Sequence, residues 1–124
     1  MNWSAVGAAA LALGVMIGAF GAHALRDRFD AYRAGIYERA VFYHFVHALG
    51  ILIVSTFAKT AQLSPPSVNW VCALLLAGIV LFSGSLYTLA ITGVRTWGAV
   101  TPFGGLSFIA AWLLLAFLLA RAQR

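Results

Sequence analysis

Residues 68–94 read VNWVCALLLAGIVLFSGSLYTLAITGV and hold no charged side chain. A helix rises about 1.5 Å per residue, so roughly 20 apolar residues cross the hydrocarbon core of a bilayer. This stretch is long enough to cross with residues to spare. Three others share its character: Trp3 to Ala22, Ala40 to Ala58 and Thr101 to Ala120. Backbone polar groups in lipid must bond within their own segment, which makes each stretch a helix. The fold class is therefore all-α, a four-helix transmembrane bundle in a single domain covering residues 1–124.

Composition agrees. Of 124 residues, 63% are hydrophobic and only 9% charged, against about 25% charged in soluble domains. The longest connection, His23 to Arg39, is too short for a separate soluble domain. A net charge of +5 suggests nucleic acid at first sight, yet Arg26, Arg28, Arg33 and Arg39 are interspersed with Asp27, Asp30 and Glu38. Such bases flank spans, meet lipid headgroups and set orientation; the partner is the lipid bilayer and not nucleic acid. Cys72 is the sole cysteine and reads as a small packing residue. Ala22-His23-Ala24 has the form of a leader-peptidase site, but no Lys or Arg precedes it and the apolar run is too long for a signal core. The first span is expected to stay.

The first span carries Gly7, Gly14 and Gly21 at seven-residue intervals, with Gly18 completing a small-xxx-small pair with Gly14. Close backbone approach is a main source of helix association in lipid, so this face packs on the protein's own helices or on a second copy. Leu25, Phe29, Tyr32 and Ile36 keep a helical rhythm with charges on the other faces. They predict a short interfacial amphipathic helix between spans 1 and 2, ending near Gly35. Ser64-Pro65-Pro66-Ser67 interrupts the second connection. Thr101-Pro102 suits a helix start, Thr as cap and Pro in the first turn. Gly84 and the pair Gly104-Gly105 are further packing positions, the latter facing the first span. Counting bases, the first and third connections carry Arg26, Arg28, Arg33, Arg39 and Arg95, the other side Lys59, Arg121 and Arg124. That excess favours both termini outside the cytoplasm.

Up-down-up-down connectivity brings the end of span 1, the start of span 2, the end of span 3 and the start of span 4 to one membrane face. His23, His44, His47, Tyr87 and Thr101 all belong to that face, whereas the opposite half offers only Ser55, Thr56 and Asn69. His44 and His47 are three apart and share a helix face. Ionisable groups at membrane depth are costly and often functional. Imidazole binds zinc, copper or haem iron and shuttles protons; it also pins helices by hydrogen bonds. No nucleophile–base pair, phosphate loop, dinucleotide fingerprint or intramembrane carboxylate pair is present, so no catalytic residue is assigned.

The same residues carry a family resemblance. Gly18-Ala19-Phe20-Gly21-Ala22-His23-Ala24-Leu25, Ala40-Val41-Phe42-Tyr43-His44-Phe45-Val46-His47-Ala48-Leu49, Phe82-Ser83-Gly84-Ser85-Leu86-Tyr87, and Gly98 with Thr101-Pro102-Phe103-Gly104-Gly105 and Trp112 appear in order. Together they resemble the domain of unknown function 423 family, small membrane proteins related to transmembrane protein 256. The resemblance implies a multi-pass inner-membrane protein with no assigned activity. In the family pattern a glutamine often stands where this chain has His44, which makes His23 and His47 the central pair of any metal site. Two functions stay open. One is a non-enzymatic accessory or structural bundle, docking on itself as a homo-oligomer or on a larger membrane complex. The other is a protein that handles a metal, haem, proton, quinone or small ligand through His23, His47 and Tyr87, with His44 beside them.

Overall fold

The computed structural model describes all 124 residues. Asn2 caps the first helix by accepting from Ala5 N, and α1 runs Trp3–Phe20 before a π-helical turn, Gly21–Leu25. α2 spans Ala31–Lys59, α3 Pro65–Gly78, α4 Gly84–Thr92 and α5 Thr101–Ala122. A second π-helical turn, Ile79–Ser83, joins α3 to α4, so that the two cross as one segment, Pro65–Thr92. Four segments are thus long and apolar enough to span, and no strand is present. The chain is an all-α integral membrane bundle.

Its helices pack in chain order. α1 lies on α2, α2 on α3 and α4, and α5 on α3 and the π turn below it. The seven-residue glycine spacing of α1 explains the first pairing. A Cβ on Gly7 would lie 2.9 Å from Leu52 N, one on Gly14 would lie 3.3 Å from the Phe45 ring, and one on Gly21 would overlap the Tyr37 ring. Ascending glycines meet descending positions of α2 in steps of seven and eight, as antiparallel helices must. Gly18 completes the stripe less tightly: a Cβ there would make ordinary contact, 3.5 Å from Val41 Cγ1. The main core lies between α2, α3 and α5, around Ile51, Val71, Leu75 and Ala111.

Four sequence expectations need revision. The amphipathic stretch is not a separate helix: Ala31 to Arg39 forms the first turns of α2, and Gly35 lies inside it. One interior glycine costs only about 1 kcal/mol relative to alanine. Against it stand the Asp30 cap, which accepts from Arg33 N, and the burial of Ile36, Tyr37 and Ala40 just beyond. Second, Gly104 and Gly105 face Phe82 in the third span rather than α1. Third, Thr101 does not cap α5; its hydroxyl bonds to Ser85 instead, while Pro102 does occupy the first turn. Fourth, at Gly84 nothing lies within 4 Å of an added Cβ and no close packing is made. The Ser64-Pro65-Pro66 break starts a helix rather than merely interrupting one, Ser64 accepting from Ser67 N.

The connection-bearing rim is tied by Arg33, which reaches from α2 to the end of α4. Its Nε donates to Ala90 O at 2.5 Å and its Nη2 to Ile91 O at 2.6 Å. Those carbonyls belong to the last turn, which Gly93 closes in the left-handed region at φ 71°. A cation there satisfies orphan carbonyls and the helix dipole together. Arg33→Ala is expected to cost about 1 kcal/mol, seen as a lower melting temperature in detergent and faster amide exchange at Leu89 to Gly93.

Candidate functional site

At the centre of the bundle His44 is 2% exposed and His47 5%. His44 joins three helices. Its Nε2 lies 2.8 Å from the carbonyl of Ala10 in α1, and its Nδ1 lies 2.9 Å from the hydroxyl of Tyr87 in α4. A carbonyl only accepts, so Nε2 carries the proton and donates; in the neutral ring Nδ1 then accepts from Tyr87 O–H. Gly14, one turn beyond Ala10, makes room for the approach: a Cβ there would stand 3.5 Å from His44 Nε2. Both ring nitrogens are engaged.

His47 lies one turn further along α2. Its Nδ1 donates to Tyr43 O at 2.7 Å, a bond within the helix. The ring stacks on Phe108 of α5, with centroids 3.5 Å apart and planes 13° apart, and on its own-helix neighbour Tyr43. Phe108 in turn covers Gly78, where any Cβ would overlap its ring. His47 therefore works as a flat aromatic surface between α2 and α5.

Thr101 lies apart from both imidazoles, donating to Ser85 at 2.6 Å while Ser85 donates to Phe82 O. This clip closes the start of α5 onto α4 and, through the Ser85 bond to Phe82 O, onto the π turn. His23 stands in the turn after α1 and is exposed. So the structure brings His44 and Tyr87 together, places His47 beside them on another face, and leaves His23 outside. No group of three or more His, Cys, Asp or Glu side chains is arranged to hold a metal ion.

Tyr37, Trp3 and Ser4 were not singled out from sequence, and Ser83, Ser55 and Asn69 were named without their partners. Tyr37 donates to Ile17 O at 2.5 Å while its ring fills the gap above Gly21 and tilts against Tyr87. Ser83 donates to Ala40 O at 2.8 Å, pinning the π turn to α2. The opposite end is also clipped. Trp3 Nε1 donates to Asn69 Oδ1 at 2.7 Å, and Ser4 and Ser55 hydroxyls meet at 2.9 Å. The signal was available: antiparallel spans put Trp3, Ser4, Ser55 and Asn69 at one level.

Residues 17–105 match the family described as Protein of unknown function (DUF423). The chain belongs to the DUF423 family. It is 44% identical over 110 residues to a UPF0382 membrane protein of Staphylococcus haemolyticus, covering 89% of this chain and 88% of the relative. It is 46% identical over 110 residues to a UPF0382 membrane protein of Staphylococcus epidermidis, again 89% and 88%. With the UPF0382 membrane protein YwdK of Bacillus subtilis it shares 41% over 112 residues, 89% of each chain. No solved structure matches. These relatives are named as membrane proteins, and this chain, with its four spanning segments, is one too.

Proposed function

We propose that this DUF423 protein is a non-enzymatic membrane bundle that acts through its outer surface as an accessory component, docking on membrane partners rather than processing a substrate. The observation that carries the reading is how the polar groups at the central face are spent. Both nitrogens of His44 bond to protein groups, Tyr87 bonds to His44, and Thr101, Ser85, Ser83 and Tyr37 each bond to another helix or its backbone. No side-chain nitrogen or oxygen that is itself shut off from the surface lacks a partner, and of the His47 ring nitrogens Nδ1 is the one that is bonded. A reacting or transported group would need some of these atoms free or loosely held. In lipid, such bonds contribute about 0.6 to 2 kcal/mol each and fix which helix faces meet. The cluster is a lock.

The test is protein purified from native membranes in mild detergent. Its absorption spectrum is expected to lack a haem band, elemental analysis to find no stoichiometric transition metal, and His47→Ala to lower the melting temperature through loss of the Phe108 stack. A stoichiometric metal or chromophore that disappears in His47→Ala, with melting unchanged, would overturn the lock and restore a ligand-handling role.

A further inference from the structure

The outer face of the α1–α2 pair carries a groove of about 750 Å³. Gly18 and Gly21 of α1 line it together with Val41 and Tyr37, which pack against them, and Phe42, Phe45 and Leu49 form an apolar wall. Two charged residues, Arg26 and Glu38, line its mouth at the first connection. No salt bridge ties either of them to another residue of the chain. From Glu38 to Leu49 the groove follows α2 for about 16 Å at helical rise, about half of a ~30 Å hydrocarbon core. It is therefore the depth of one leaflet, open to lipid along its length and closed by a cation and an anion at headgroup level.

We propose that this groove is a binding site for an aminophospholipid, one whose headgroup carries both a phosphate and a free ammonium. The charges select the class. The Arg26 guanidinium takes phosphate oxygens through its planar fork of donors. The Glu38 carboxylate takes an ammonium that still has N–H bonds to give, which a quaternary choline lacks. A purely anionic headgroup satisfies Arg26 but brings its charge toward Glu38. One acyl chain fills the apolar part, along the wall of Phe42, Phe45 and Leu49. The proposal is independent of the lock, since neither Arg26 nor Glu38 takes part in it.

Lipid retention read by native mass spectrometry tests it. The full chain is delipidated in detergent and offered phosphatidylethanolamine, phosphatidylcholine and phosphatidylglycerol in equal amounts. One bound phosphatidylethanolamine per chain is expected to dominate. Arg26→Gln and Glu38→Gln should each lower that retention about tenfold, the loss of one charge-assisted hydrogen bond. Glu38→Gln should also raise the share of phosphatidylglycerol. Both variants should melt like the parent without lipid, which separates lost binding from lost folding. Equal retention of all three lipids, retention unchanged in both variants, or a dimer that holds its mass with no lipid would overturn the assignment; the dimer would make the groove an interface between copies.

Discussion

Replacing Gly104 with alanine is expected to destabilise the bundle by about 3 kcal/mol or more, among the largest effects of any single methyl in this chain. The added Cβ would overlap the backbone N of Phe82, and would lie 2.7 Å from its Cα. A side chain can rotate away from such a contact, but backbone cannot. Phe82 also sits in the π-helical turn, held by Ser83 to Ala40 on one side and by Ser85 to Thr101 on the other. The α5 segment must therefore move outward, loosening the stack of Phe108 on His47 and the seat of Trp112 over Gly50. Gly84→Ala is the control. Nothing lies within 4 Å of a Cβ there, and the position is helical, so the substitution should leave stability unchanged or raise it by up to about 1 kcal/mol. Denaturation in mixed detergent micelles, followed by circular dichroism, reads both. Equal effects at the two positions would show that the α5–π turn contact is not the tight one.

That contrast marks what could be read from residues alone. Gly84 and Gly104 look alike in sequence, both small and both inside a span, and only the neighbour distinguishes them. The spans themselves were legible because charge is excluded from lipid whatever the tertiary arrangement. The α1 glycine stripe was legible because its spacing repeats along one helix. Pairing was not. A shift of one residue turns a side chain about 100° around the helix, so whether His47 faces α1 or α5 depends on crossing geometry that no local pattern encodes. The same applies to Thr101, where cap chemistry was the local expectation and Ser85 the actual partner. Gly35 misled for another reason: its local cost is small beside the burial gained by the turns that follow. His23 shared a membrane level with His44 and His47, but level does not place a residue inside a bundle, and the turn carries it to the surface.

The second large effect falls on His44. His44→Leu keeps bulk and apolar packing but removes both interhelical bonds, and it leaves the Tyr87 hydroxyl without its partner in a half-buried position. Two bonds at about 1 kcal/mol each, with a desolvated hydroxyl at about 1 to 3 more, put the loss at about 3 to 5 kcal/mol. Tyr87→Phe removes one bond and leaves the buried His44 Nδ1 without its donor, and should cost about 1 to 3 kcal/mol. Because the Leu variant has already lost that bond, adding Tyr87→Phe to it should recover stability rather than subtract further; the coupling of the double-mutant cycle is then about 1 kcal/mol or more. His44→Gln supplies the decisive comparison. Its amide offers a donor for Ala10 O and an acceptor for Tyr87, so a lock tolerates it with most of the stability kept. A proton carrier or a metal ligand does not, since an amide neither titrates near neutral pH nor replaces imidazole on a metal. Zero coupling between His44 and Tyr87, or a Gln variant as unstable as the Leu variant, would mean that the hydrogen bonds do not hold these spans together.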